Sequence, residues 1–305
     1  MGANAPELQE DFGWRSNHVV TIITKAITTQ FYGVPIKHSY MVGNSKGGQA
    51  VLLEAQRFPE DFDGLMPSAP VYDYTGRNVL AGTWFAQAIS DGNGGSVLNA
   101  EAAQAVHKSV LEHCGAQADV EEGLVTNPPS CKWHLEMIAC ALESSGTDCL
   151  NAKQVAAVKR LMTAVTNSTS SFDLRAFKAR GGKILLWHGW ADGAIMATSS
   201  IGYYEGVIKV MGGRRQTEDF FRLFLVPGVH HGGGGPGFTE FDSMTALENW
   251  LEKGEVPEKL IASRSANGTV ERSRPFFPYP VLARYSGNGD PRQADSFVPF
   301  DPSQH

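Results

Sequence analysis

A serine at residue 45 lies in a short pattern that is typical of a nucleophile. Residues 43–47 read Gly-Asn-Ser-Lys-Gly, which is a G-x-S-x-G pentapeptide. The apolar run 38–45 predicts a buried strand that ends at the serine, and 46–58 predicts a helix directly after it. Such a turn lifts the hydroxyl clear of the sheet and lets the N–H of Lys46 face a developing oxyanion. The pattern therefore predicts that Ser45 attacks an acyl carbon.

A serine hydroxyl needs a base, and the base needs an acid that orients it. Asp192 follows a strand predicted at 181–189, and the pair His230 and His231 follows a strand predicted at 220–228. This chain order, with each residue on a loop after a strand, is that of an α/β-hydrolase. Alone, Asp192 would be interpreted as a helix N-cap or a loop carboxylate. The histidine pair could also bind a metal, although adjacent loop residues rarely converge on one ion and no H-E-x-x-H helix accompanies them.

Composition limits the possible classes of function. The chain has 305 residues, 42% of them hydrophobic, with a net charge of −6, so a large core is possible. The absence of a Lys/Arg-rich run argues against nucleic-acid binding. No apolar run approaches the ~20 residues that a membrane span needs. Four other histidines are interpreted as structural or solvated. His107 and His113 lie on a predicted surface helix, and His134 and His188 have no informative sequence context.

The segments around the serine predict further core elements. Residues 11–33 carry Val20, Ile23, Ile27 and Phe31 at helical spacing, and Gly33 is a suitable stop. The next apolar piece, 64–70, predicts a strand, and 241–255 predicts the last clear helix. The tail, rich in proline and aromatic residues, is interpreted as an ordered coat over the core.

The middle of the chain has a different character. Helices are predicted to begin after Asn99 and Asn151, whose side chains suit N-caps. Four cysteines lie between them, and their spacing matches no zinc template. Two disulfides, or four buried thiols, are both compatible with the residues. We predict a helical insertion at 75–170 within a core formed by 1–74 and 171–305.

The chain resembles the tannase and feruloyl esterase family of serine esterases nearly end to end. The stretch 54–64 and the closing tail are more specific to that family than the serine motif itself. The segments that carry the resemblance include DFGWRSNHVVT, HSYMVGNSKGG, EAQRFPEDFDG, WHGWADG, VPGVHHGGGG, LENWLEKGEVPEKLIA and RPFFPYPVLARYSGNGD. It implies a triad of Ser45, Asp192 and His230.

The resemblance also implies disulfides and a metal. It pairs Cys114 with Cys131 and Cys140 with Cys149 in the insertion, which would act as a lid. Family members have a cysteine just before the serine and another just after the histidine, and here Asn44 and His231 are expected at those positions. A second pair in the tail is replaced by Phe277 and Pro299.

A family calcium site between the first two lid cysteines is expected to be weak here. Gly115 and Ala118 replace aspartates, and Glu122 keeps a carboxylate. Asp119 and Glu121 are the nearby acids that could compensate in part. Calcium takes six to eight oxygen ligands, so we expect no tight site and no cofactor.

Only 44 residues precede Ser45, whereas an α/β-hydrolase places several strands and an oxyanion loop before its nucleophile. The resemblance implies that a signal peptide, the first strands and the second oxyanion donor are missing. Losing one such donor lowers the rate by about 10²–10³-fold. A fragment, an inactive relative, and a chain whose bare sheet edge is covered by another chain or a second copy all stay open.

The sequence thus predicts an α/β-hydrolase core that lacks its first strands and carries a helical, disulfide-bearing lid. The expected function is hydrolysis of carboxylic esters of aromatic, gallate- or ferulate-like acids, with the lid supplying the acyl pocket. The alternative is a catalytically impaired relative that binds or oligomerises. The Lys46 side chain is expected to point to solvent or to favour an anionic substrate. The cysteines suggest secretion, although no signal peptide is present.

Overall fold

The computed structural model describes residues 4–74, 81–115, 122–141, 147–162 and 171–302. The chain divides into two compact units. The first combines Met1–Tyr72 with Ser170–His305, and the second is Asp73–Thr169.

A four-stranded parallel sheet forms the centre of the first unit, in the order β1-β2-β3-β4. Its strands are β1 (Tyr40–Asn44), β2 (Gly64–Ser68), β3 (Lys183–Gly189) and β4 (Phe221–Val226). All four were predicted from their apolar runs. Asn44 is paired with Ser68, and Ser68 with Trp187, so the carboxyl ends of the strands share one edge of the sheet. Loops that leave this edge are where α/β folds assemble sites.

Ten α-helices lie in the described residues. A five-residue π-helix, Asp11–Arg15, joins the first two. In chain order the helices are α1 (Pro6–Glu10), α2 (Ser16–Tyr32), α3 (Lys46–Arg57), α4 (Ala81–Ile89), α5 (Ala100–Cys114), α6 (Ala152–Leu161), α7 (Arg175–Ala179), α8 (Ala197–Val210), α9 (Arg214–Glu218) and α10 (Ser243–Lys253).

The core of the first unit forms where α3 and α8 pack on the sheet. The buried residues of α3 recur at helical spacing, at Gly48, Val51, Leu52 and Ala55. They contribute to one cluster with strand residues such as Ile184 and Leu223 and with aromatic side chains of α8. Each large apolar side chain buried in this way stabilises the fold by about 1.5–3 kcal/mol. The core therefore fixes α3, and with it the turn that carries Ser45.

The helix predicted at 11–33 is present as α2, but its apolar residues are exposed. Gly33 ends it with φ 69°, as expected of a glycine C-cap. No residue of α2 is buried, and Ile27 and Phe31 are 61% and 80% exposed. Strand β1 is the edge of the sheet, and its Val42 is 56% exposed. Helical spacing thus predicted the element correctly without determining what its apolar side faces.

The tail forms two antiparallel pairs of strands that were not predicted. The pairs are β5 (Leu260–Ala266) with β6 (Thr269–Phe276), and β7 (Leu282–Tyr285) with β8 (Phe297–Phe300). The first pair turns at Asn267-Gly268, both with positive φ. Asn-Gly favours the tight turn of a two-residue hairpin, so this signal was present in the sequence.

The second unit contains α4 to α6 and both disulfides. Asn99 and Asn151 cap α5 and α6 as predicted, because their side chains accept hydrogen bonds from the first helical N–H groups. The pairings Cys114–Cys131 and Cys140–Cys149 are confirmed. This unit has a small apolar cluster of its own, which includes Leu135, Ile138 and Leu150. Within the described residues, no helix has both the length and the apolar character needed to cross a bilayer.

Candidate active site

Ser45 occupies a strained turn between β1 and α3. Its φ of 59° and ψ of −119° lie in a region that non-glycine residues rarely adopt. The N–H of Ser45 donates to the carbonyl of Ser68 at 3.0 Å, and the N–H of Val71 donates to the carbonyl of Ser45 at 3.2 Å. These two bonds tie the turn to the end of β2. The predicted strand–turn–helix context of the serine is therefore present.

Two glycines make this turn sterically possible. A Cβ on Gly43 would lie 2.4 Å from the backbone carbon and oxygen of Gly47, and a Cβ on Gly48 would lie 2.8 Å from the carbonyl oxygen of Ser68. Gly47 itself has open space for a Cβ. The close approach of β1, α3 and β2 thus requires glycine at 43 and 48, whereas Gly47 contributes its backbone.

Asp192 lies on the loop after β3 and accepts four hydrogen bonds. Its Oδ1 accepts from the N–H groups of Ala194 and Ile195 at 2.9 and 2.8 Å. Its Oδ2 lies 3.1 Å from His188 Nε2 and 2.8 Å from His231 Nδ1. One oxygen therefore caps the loop, and the other binds two imidazoles.

These bonds determine the charge of the carboxyl. Burial by itself raises the pKa of Asp192, but the hydrogen bonds from His188, Ile195, His231 and Ala194 outweigh it and lower the pKa to about 2. The carboxyl is consequently an anion at neutral pH, although its side chain is fully buried.

His188 was interpreted from sequence as structural or solvated, and it is a buried partner of Asp192. Its Nε2 also lies 2.8 Å from the carbonyl of Ile195, which can only accept, so Nε2 carries the proton. Its Nδ1 lies 2.7 Å from Ser200 Oγ on α8. The imidazole therefore contacts both the carboxyl of Asp192 and the backbone of its loop. Its sequence signal was weak: a polar residue in an apolar strand, four residues before the acid.

A tight turn after β4 carries His231. The N–H of Gly233 donates to the carbonyl of His230, and Gly232 has φ 72°, as in a turn with glycine at its third position. His231 is the second residue of this turn. The loop reaches Asp192 because Gly189 has no side chain: a Cβ there would lie 2.1 Å from the carbonyl oxygen of Val229.

The structure brings His231, rather than His230, to Asp192. His230 is exposed, and its side chain packs over Gly235. The residue that faces Asn44 is Gly232, since a Cβ there would lie 2.7 Å from Asn44 Nδ2. Position 232 is thus the one opposite residue 44, and 231 is the histidine just before it. Asp192 therefore contacts His231, whereas His230 was expected, and Gly232 lies opposite Asn44, whereas residue 231 was expected.

Asn44 occupies the place where the resemblance implies a tether. Ser68 Oγ donates to its Oδ1 at 2.9 Å, while its Nδ2 lies against the backbone of Gly232. The serine loop and the histidine loop are therefore in contact through a carboxamide and a glycine.

The contact with Asp192 determines which nitrogen of His231 carries a proton. Because ionised Asp192 can only accept, His231 Nδ1 carries a proton and Nε2 is left as the basic nitrogen. Among the described residues, no hydrogen bond joins Ser45 Oγ to His231. Such bonds are often long in the absence of substrate.

Lys46 is the first residue of α3, so its N–H has no acceptor within the helix. Its ammonium donates to the carbonyl of Phe12 at 3.2 Å and to Gln49 Oε1 at 2.7 Å, and it lies 4.5 Å from the centre of the Phe12 ring. Burial lowers the pKa of this side chain. The side chain thus packs on the π-helix instead of extending into solvent.

The described residues do not assemble the family calcium site. Asp119 and Glu121 lie outside them. Glu122 is described, but it belongs to no group of three metal-binding side chains in the described part of the chain, and neither do His230 and His231. The expectation that no tight calcium site forms there stays a prediction.

Solved structures with the same fold are esterases. The chain superposes on an esterase from Aspergillus oryzae with a TM-score of 0.88 at 23% identity, covering 97% of this chain and 75% of that one. For feruloyl esterase B from Aspergillus oryzae the TM-score is 0.86 at 22% identity, with the same coverage of 97% and 75%. At these identities the likeness establishes the fold, which is that of an α/β-hydrolase.

Relatives with established names hydrolyse esters. The chain is 27% identical over 409 residues to the mono(2-hydroxyethyl) terephthalate hydrolase of Piscinibacter sakaiensis, with 93% of this chain and 67% of that protein covered. It is 29% identical over 374 residues to a probable feruloyl esterase of Arthroderma benhamiae, with 95% and 69% covered. The class of protein is therefore a carboxylic ester hydrolase.

The family follows from a match to nearly the whole chain. Residues 1–171 and 162–299 match the family described as tannase and feruloyl esterase. The chain belongs to that family.

Proposed function

We propose that the chain hydrolyses carboxylic esters of aromatic acids through Ser45, His231 and Asp192. The observation that carries the proposal is the 2.8 Å bond between His231 Nδ1 and buried Asp192, next to a serine held in a strained turn. A base oriented by an ionised acid is what a serine nucleophile requires.

In the proposed reaction His231 Nε2 takes the proton of Ser45 as its oxygen attacks the ester carbon. The resulting imidazolium is stabilised by Asp192, which stays ionised. The Lys46 N–H is one donor to the oxyanion, aided by the positive end of the α3 dipole. His231 then gives the proton to the leaving alcohol. In the second half of the reaction His231 takes a proton from water, which attacks the acyl-enzyme, and returns it to Ser45 as the acid leaves.

The names of the relatives support an aromatic acyl group. The terephthalate hydrolase acts on a benzene dicarboxylate monoester, and tannase and feruloyl esterases are named for gallate- and ferulate-type acids. The chain spans about two thirds of the terephthalate hydrolase, so the acyl preference is for experiment to decide. The action of the second unit as a lid also stays a prediction.

The test compares four substrates: 4-nitrophenyl acetate, methyl gallate, methyl ferulate and mono(2-hydroxyethyl) terephthalate. Wild-type protein is expected to hydrolyse at least one aromatic ester, and Ser45→Ala to lose that activity. Ser90→Ala, which changes an exposed serine of the second unit, is the matched control and should retain it. A fluorophosphonate reagent should label Ser45 in wild type, which peptide mass analysis can verify.

A second candidate, a non-catalytic binding protein, is favoured by one observation. The apolar side of α2 and the edge strand β1 are exposed, which is typical of a surface that another chain covers. Folded wild-type protein that hydrolyses none of the four esters and takes no fluorophosphonate would support this candidate and overturn the triad.

A further inference from the structure

Three side chains of metal-binding type meet at the opposite end of α3 from Ser45. They are His18 of α2, Glu54 near the end of α3, and Asp61 in the loop before β2. One ligand atom from each lies within 4.8 Å of the other two. At about 1.5 Å per residue, Glu54 lies roughly 13 Å along α3 from Ser45, so this cluster is separate from the proposed triad.

The second observation is a buried carboxylate oxygen without a partner. Glu54 is 2% exposed, and its Oε2 has no hydrogen-bond partner among the described residues. Buried polar atoms are nearly always paired, because leaving one unpaired costs free energy. A bound cation would satisfy this oxygen and lie beside the carboxyl group of Asp61, which is also buried.

The surrounding residues hold the imidazole ready to act as a ligand. His18 Nδ1 lies 2.7 Å from Asp61 Oδ2, and its ring stacks on Phe58 at 3.7 Å between ring centres. The ammonium of Lys25 donates to the backbone carbonyl of Asp61, not to its carboxyl group. The contacts thus orient His18 towards the two acids.

We propose that His18, Glu54 and Asp61 bind one divalent metal ion of the zinc class. One imidazole nitrogen and two carboxylate oxygens are a donor set that zinc accepts, and water can supply a fourth ligand. Two carboxylates also balance the charge of the ion. Bonds of about 2.0–2.2 Å place ligand atoms roughly 3.3 Å apart, so the His18–Asp61 pair opens slightly and Glu54 closes in.

The ion would join α2 to the core. No residue of α2 is buried. The contacts that hold it include His18 on Phe58 and Lys25, whose ammonium lies 5.6 Å from the centre of the Phe62 ring. A metal coordinated by His18 on one side and by Glu54 and Asp61 on the other would link the helix to α3 at this point.

The test is metal binding by the full chain after treatment with EDTA and removal of the chelator. Zinc content after gel filtration, and the Tm with and without ZnCl2, are measured for wild type, Glu54→Gln, His18→Gln and Glu60→Gln. Glu60→Gln is the matched control, because it makes the same change at an exposed residue beside the cluster. The visible absorption spectrum of the cobalt-loaded protein reports separately on the ligands and their geometry.

Wild type and Glu60→Gln are expected to bind one zinc ion per chain and to gain about 5 °C in Tm at a hundredfold excess over Kd. Glu54→Gln and His18→Gln should weaken binding by at least about 100-fold, lose the Tm gain and change the cobalt spectrum. If Glu54→Gln does not fold, His18→Gln on the exposed helix decides the question. No stoichiometric zinc in wild type, or equal binding in the cluster variants, would overturn the proposal.

Discussion

Replacing each of the two adjacent histidines in turn gives the sharpest test of the active site. His231→Gln removes the nitrogen that we propose as the base for Ser45, while its amide can still donate to Asp192. His230→Gln changes an exposed side chain that packs only over Gly235 among the described contacts. The two variants have the same chemistry and differ by one position.

The expected magnitude follows from the geometry around Asp192. Its pKa of about 2 keeps it ionised at any assay pH above about 4, so it stabilises the imidazolium that forms 2.8 Å away. Without His231 no group takes the proton of Ser45. Loss of a triad member typically lowers kcat by about 10⁴–10⁶-fold, which is about 5–8 kcal/mol in activation free energy. His230→Gln should change kcat by less than about threefold.

The assay is initial-rate hydrolysis of 4-nitrophenyl acetate and of the best aromatic ester at pH 7.5. Circular dichroism and Tm confirm that each variant is folded. The assignment of His231 would be refuted if His231→Gln kept more than a tenth of wild-type kcat. If His230→Gln instead lost its activity, His230 would be restored as the base.

Three further predictions concern the serine turn, the buried carboxyl of Asp192 and the exposed edge of the sheet. Gly43→Ala places a methyl group against the backbone of Gly47 and should lower the free energy of unfolding in urea by about 3 kcal/mol or more. Gly47→Ala has open space for the methyl group and should stay within about 1 kcal/mol of wild type. Similar values for the two variants would contradict the packing. Asp192 has a lowered pKa in the folded state, so it stabilises the fold at pH values above its unfolded pKa near 4, and this contribution is lost as pH falls from about 4 to about 2. Asp192→Asn should therefore cost about 2–3 kcal/mol at pH 7, about half of that at pH 3 and less than about 1 kcal/mol at pH 2. A difference that stays constant with pH would count against the hydrogen bonds. If a second copy covers β1 and α2, light scattering should give about twice 33.0 kDa, and Phe31→Asp should restore the monomer; a wild-type mass of 33.0 kDa at high concentration would exclude this.

The order of the core elements could be predicted because each carries a local signal. The strands at β1 to β4 are short apolar runs, and the caps at Asn99 and Asn151 are single-residue features. Ser45 and Asp192 were placed correctly on their loops because the G-x-S-x-G turn and the chain order constrain them. These signals depend on neighbouring residues and need no knowledge of tertiary contacts.

The choice between His230 and His231 could not be made in this way. Both follow β4 and both precede glycines, so only the contacts of Asn44 with Gly232 and of His231 with Asp192 separate them. His188 was missed although its partners follow it closely in sequence, because only the folded-back loop after β3 brings Asp192 to its ring and only α8 brings Ser200 there. The exposed side of α2 shows a different limit: periodicity identifies an apolar face, but the rest of the fold decides whether it is covered.

The contact between Asn44 and Gly232 also has a consequence for redox behaviour. The serine and histidine loops touch through an amide and a backbone, neither of which exchanges electrons or reacts with thiols. Both disulfides lie in the second unit. A reducing agent can therefore open covalent links in that unit, whereas the contact between the serine loop and the histidine loop contains no group that it can reduce.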